Sequence, residues 1–118
     1  MLVPSHMAFE PPTDVYETEE AVIVRLEIAG LRGTSREVSI QLQDDVLAIS
    51  GERPDPASGS ARRYEQMEIE TGSFRRTVRL PCPVDETAAV GRYEDGFLLV
   101  QLPKLAAPHT RARTIRIE

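Results

Sequence analysis

A chain of 118 residues is long enough for one hydrophobic core and too short for two. Hydrophobic content of 41% and charged content of 28% are those of an ordinary globular domain, and no apolar run reaches the length of a membrane span, so a membrane partner is not expected. The net charge of −5, with acids and bases interleaved, excludes nucleic acid as the main partner, because a phosphate binder gathers basic charge on one face.

Met1-Leu2-Val3-Pro4-Ser5-His6-Met7 resembles an expression leader and is set aside from fold reasoning. Nothing there has the basic region and long apolar run of a secretion signal. The lone Cys82 has no internal disulfide partner, and a cytoplasmic protein is expected. Its position between Pro81 and Pro83 suits a turn, not an activated thiol.

Along the chain, Asp14-Val15-Tyr16-Glu17-Thr18 reads as a short edge strand. Val22, Val24, Leu26 and Ile28 alternate with Ile23, Arg25 and Glu27, and Ala29-Gly30 ends that strand. Val38, Ile40 and Leu42 alternate with Ser39, Gln41 and Gln43 in another half-buried strand. Asp44-Asp45 has hairpin composition, so Val46-Leu47-Ala48-Ile49-Ser50-Gly51 should return antiparallel. Pro54, Pro56 and Gly59 make the following stretch a loop.

Beyond it, Arg62-Arg63-Tyr64-Glu65-Gln66-Met67-Glu68-Ile69 has the weak alternation of an exposed strand. Gly72-Ser73-Phe74 opens a strand that Pro81 stops, and residues 84–89 fit one helical turn. Residues 89–93 form another strand, Glu94-Asp95-Gly96 turns the chain, and Phe97-Leu98-Leu99-Val100-Gln101-Leu102 is the most apolar strand of all. Short strands at this spacing, without a long helical period, predict an all-β immunoglobulin-like sandwich of seven to nine antiparallel strands. Val22, Val24, Leu26, Val38, Ile40, Ile49, Val78, Leu98, Val100 and Leu102 should fill it.

Past Leu102-Pro103-Lys104 a polar tether leads to Thr114-Ile115-Arg116-Ile117-Glu118. In an extended chain Ile115 and Ile117 project to one side and Arg116 to the other. Burying two such side chains is worth about 1.5–3 kcal/mol each, so either this is a last strand in its own sheet or it plugs another molecule's groove.

Little here can do chemistry. The histidines, His6 and His109, lie in the leader and the tether, and with one cysteine a zinc site lacks ligands. No glycine cluster has phosphate-cradle spacing, and the carboxylates read as solvated faces. Neither an enzyme nor a cofactor is expected.

The run Gly72-Ser73-Phe74-Arg75-Arg76-Thr77-Val78-Arg79-Leu80-Pro81, residues 89–93, and Asp95-Gly96-Phe97-Leu98-Leu99-Val100-Gln101-Leu102-Pro103-Lys104 together resemble the α-crystallin domain of small heat shock proteins, the Hsp20 family. Asp14-Val15-Tyr16-Glu17, the Ile28-Ala29-Gly30 strand end, Val46-Leu47-Ala48-Ile49-Ser50-Gly51-Glu52-Arg53 and Ile115-Arg116-Ile117 extend the resemblance over most of the chain. Phe97 stands where the family usually has Val, and Ala29 where Pro is common.

The resemblance implies three segments: residues 1–12 as leader plus short arm, 13–104 as the α-crystallin domain, and 105–118 as an extension carrying the anchor. It implies an ATP-independent holdase of the stress response that binds partly unfolded clients, as a homodimer assembling into higher oligomers. Ile115 and Ile117 would then anchor in an apolar groove of a neighbouring dimer, lined by Val38, Ile40, Leu42 and Val90. Arg62, Arg63, Tyr64, Gln66 and Met67 would pair with a partner subunit's edge. Arg76 would form an ion pair across the dimer, or remain a solvated strand arginine. With Phe9 as the only aromatic of its short arm, the chain should assemble and protect less than longer relatives. A co-chaperone-like sandwich module that binds one defined partner as a monomer is the competing reading.

Overall fold

The alternating segments resolve, in a computed structural model, into two facing four-stranded antiparallel sheets that bury one apolar face each. The structure describes residues 8–32, 37–57, 59, 61–105 and 113–118, and of Arg113 only the backbone. The expected leader and the polar tether at 106–112 lie outside the described residues.

The strands are β1 (Thr13–Glu17), β2 (Ala21–Glu27), β3 (Val38–Gln43), β4 (Val46–Arg53), β5 (Gly72–Arg79), β6 (Val90–Glu94), β7 (Phe97–Pro103) and β8 (Arg113–Ile115). One sheet runs β1-β2-β7-β6 and the other β5-β4-β3-β8. This is an immunoglobulin-like sandwich. Its hairpins follow from their turn residues: Gln43 pairs with Val46 and Glu94 with Phe97, each across two residues. Asp95 and Gly96 both take left-handed conformations, at φ 52° and 83°, which lets the right-twisted strands meet without splaying. Residues 84–89 do contain one helical turn, a 3-10 turn over Glu86–Ala88 capped by the Asp85 carboxylate, which accepts from Thr87 N at 3.0 Å.

Every residue of the expected core is buried, apart from half-buried Val78 on the edge strand β5. Ile28, Leu47, Phe74, Leu80, Val84 and Ile115 join it. Ile23, on the opposite face of β2 from Val22 and Val24, is buried as well, in register with Tyr16 on β1 and Gln101 on β7.

The segment expected to be an exposed strand forms none. Residues 61–70 are all exposed and lie in no ladder, because among the described residues no strand edge of their own chain comes alongside them. A strand whose pairing groups have no partner is not held extended.

Candidate functional site

Along one open side of the sandwich lie β3, flanked only by the three-residue β8, and β6 at the edge of the other sheet. The seam between them would expose the inner face of Ile40 and Leu42 to water. The carboxyl-terminal segment closes it. Ile115 pairs antiparallel with Ile40, Thr114 with Gln41 and Arg113 with Leu42, extending the β3 side by one short strand. The chain then crosses to the other sheet, where Ile117 makes a parallel bridge to Gly91 and Glu118 N donates to Gly91 O at 2.9 Å.

Directly opposed residues share a face, so Ile115 points inward beside Ile40 and is only 4% exposed. Ile117 is half-buried against the same core, and Arg116 between them stays in water. The alternation read from the sequence is thus what lets one strand cover both edges.

Of the expected groove residues, Val38, Ile40 and Leu42 are buried core members, and Ile40 faces the anchor. Core-facing and groove-facing residues on β3 are one set. On β6 the neighbour of the anchor is Gly91 and not Val90: the missing side chain there admits the main chain of Arg116. A glycine inside a strand is the sequence signal for such a close approach. The occupant in this single chain is its own terminus, the first of the two alternatives for Ile115 and Ile117.

The residues expected at a dimer interface lie elsewhere. Tyr64, Met67 and Ile69 are 48%, 65% and 77% exposed, an unusual concentration of apolar surface in one loop. Arg62 stays local, its guanidinium over the Tyr64 ring at 5.0 Å and bonded to Asp55. The hydrogen bond to Tyr64 and the nearby Asp55 charge hold its pKa above the ordinary arginine value, against the pull of desolvation. Arg63 reaches Glu65 at 3.6 Å with both side chains largely in water, and Gln66 bonds Glu68.

Arg76 shares the inner face of β5 with Phe74 and Val78, since its register partner is the buried Ile49. It is half-buried, and its side chain has no ion pair or hydrogen bond among the described residues. The described residues also hold no cluster of metal-ligating side chains and no helix long and apolar enough to cross a membrane.

A β-sandwich of two antiparallel sheets, with segments of its own chain laid along their open edges, defines the structural class of this protein. Comparison with known proteins gives that class its family. The model of the Hsp20/alpha crystallin family matches residues 14–118, and the chain belongs to that family. Its members, the small heat shock proteins, are chaperones of the stress response and not enzymes.

Similar relatives include small heat shock protein C2 of Rickettsia felis, 28% identical over 86% of this chain and 64% of its own. The 17.7 kDa class II heat shock protein of Arabidopsis thaliana is 30% identical over 91% of this chain and 69% of its own. The chain thus spans just under two thirds of the length of the Rickettsia relative. Heat shock protein 16.0 from Schizosaccharomyces pombe superposes with a TM-score of 0.74, at 28% identity, over 92% of this chain and 82% of its own. A small heat-shock protein from Xylella fastidiosa, described with a distinct high order structure, gives 0.69 at 26% identity, over 86% and 91%.

Proposed function

We propose that this protein is an ATP-independent holdase: it binds extended apolar segments of partly unfolded proteins and keeps them from aggregating. The observation that carries the reading is the β3/β6 seam, which accepts a strand bearing apolar side chains at i and i+2 through main-chain pairing. Main-chain hydrogen bonds supply affinity without sequence, and alternate pockets demand only apolar character, which suits many clients. Holding the aggregating species needs no covalent chemistry, only mass action.

Its own anchor competes for the same seam. Tethered in cis, the terminus acts at an effective concentration on the order of millimolar, so it occupies the seam at rest and yields to clients or to exchange between subunits. Exchange into a neighbour's seam links dimers into larger assemblies. For the dimer itself, the loop bearing Tyr64, Met67 and Ile69 meets the outer edge of a partner's β1, which pairs with nothing among the described residues. Arg76, half-buried and without a carboxylate partner among the described residues, pairs with an acidic group of the partner in that dimer.

The test is light scattering from a heat-labile client enzyme, with and without ATP, together with the mass of the particle. Suppression that is independent of ATP is expected, and Ile115→Ser with Ile117→Ser should leave dimers while abolishing larger species. No suppression at molar excess, or a requirement for ATP, would overturn the reading.

A further inference from the structure

The other end of the chain covers the other side of the sandwich. Ala8-Phe9-Glu10-Pro11-Pro12 runs from the outer edge of β5 to the start of β1, so it crosses from one sheet to the other. Phe9 makes a parallel bridge to Phe74: Phe9 N donates to Ser73 O at 3.0 Å and Arg75 N donates to Phe9 O at 2.9 Å. Its half-buried ring lies 5.9 Å from the Phe74 ring, tilted by 46°, and the Arg53 guanidinium sits 4.9 Å from the centre of that ring. Phe9 is therefore held between an apolar wall and a cation, a seat specific for an aromatic side chain.

Toward β1 the pairing cannot lengthen. Pro11 and Pro12 have no N–H to offer a ladder, so the segment is fixed to β5 by one bridge and one ring. The rest of the β5 edge, where Arg75 is exposed and Arg79 is held by Asp45 at 2.8 Å, has no strand beside it among the described residues. Glu10, next to Phe9, is opposite in charge to Arg75, the exposed arginine next to Phe74.

We propose that the β5 edge is a second peptide-binding site, distinct from the β3/β6 seam, whose ligand is an extended segment of a non-native polypeptide bearing an aromatic residue beside an acidic one. Residues 8–12 fill it at rest as an exchangeable strap. This rests on the holdase reading for the origin of the ligand, and the strap itself shows the chemistry that the seat accepts. Arg53 also ties the site to the exposed loop, because its Nε donates to Glu70 O at 2.8 Å while its guanidinium covers Phe9.

The experiment uses a fluorescent peptide copying residues 8–13, titrated into the full chain and followed by anisotropy. Phe9→Ala, which empties the seat, should bind it about tenfold more tightly than the parent chain, since the tethered competitor is gone. Adding Arg53→Ser should weaken that binding about threefold by removing the cation over the ring. A peptide with alanine in place of its phenylalanine should not bind. Phe9→Leu, which keeps apolar bulk, guards against a folding defect and should fall between the parent and Phe9→Ala.

Equal binding by parent and Phe9→Ala, or by neither, overturns the proposal. So does a loss of dimer in Phe9→Ala, which would make the strap an intersubunit clasp. Failure of the holdase reading looks different: the peptide still discriminates between the variants, but scattering is not suppressed.

Discussion

Gly91 lies against the main chain of Arg116: a methyl group built on its α-carbon would stand 3.3 Å from the Arg116 carbonyl oxygen and 3.0 Å from Cδ1 of Ile40. The side-chain methyl can shift by a few tenths of an ångström, but the backbone of a paired strand yields less. Gly91→Ala should therefore be tolerated, and Gly91→Val should expel the terminus. Loss of the Ile115 seat removes about 1.5–3 kcal/mol of apolar burial, and amides of residues 114–118 should lose their protection from hydrogen exchange. Protection retained in Gly91→Val would mean that the terminus is held by β3 alone.

Tyr93 on β6 is tied to the segment that follows β2. Its hydroxyl donates to Ile28 O at 2.8 Å and accepts from Leu31 N at 3.3 Å. Tyr93→Phe leaves both main-chain groups without that partner in a partly buried place. A loss of about 1–2 kcal/mol is expected, on the order of 5 °C in Tm, with no change in particle mass.

How far the sequence reveals this molecule depends on whether a signal is carried by a side chain or by its surroundings. Period-2 alternation identifies Val22, Val24 and Leu26, or Val38, Ile40 and Leu42, because a half-buried strand must sort its side chains between two faces. The same alternation at Arg62-Arg63-Tyr64-Glu65-Gln66-Met67-Glu68-Ile69 misleads for this chain alone, since a strand also needs an edge to join. Gly91 is invisible to a search for apolar residues, and what it contributes is room. Phe9, two residues past the suspected leader, gives no periodic signal. Its seat depends on Phe74 and Arg53, which only the fold brings to it.

Lys104 Nζ meets Glu17 Oε1 at 3.0 Å, joining the end of β7 to the edge strand β1. That hydrogen bond raises the lysine pKa above its ordinary 10.5, against desolvation and with help from the Glu17 charge. A base with a raised folded-state pKa contributes stability that is complete below its unfolded pKa and is lost as pH rises through the folded one. The difference in urea midpoint between the parent and Lys104→Gln should accordingly be constant from about pH 7 to pH 9.5 and shrink only above that. A difference that already varies near neutrality would assign the effect to another group.

The exposed loop separates folding from association. Tyr64, Met67 and Ile69 are mostly exposed and belong to no core, so replacing all three by serine should change monomer stability by no more than about 1 kcal/mol. If these side chains instead bury against a partner's β1, each contributes about 1 kcal/mol or more to the interface. The dimer dissociation constant should then rise on the order of a hundredfold. Sedimentation across a concentration series measures this directly, and urea unfolding of the same samples supplies the control. Arg76→Ala tests the same interface from its charged side: with no ion pair to lose among the described residues of its own chain, it should weaken the dimer while leaving the monomer's unfolding midpoint nearly unchanged. A triple variant that dimerises as tightly as the parent would place the interface on another surface and leave the loop's apolar side chains to clients.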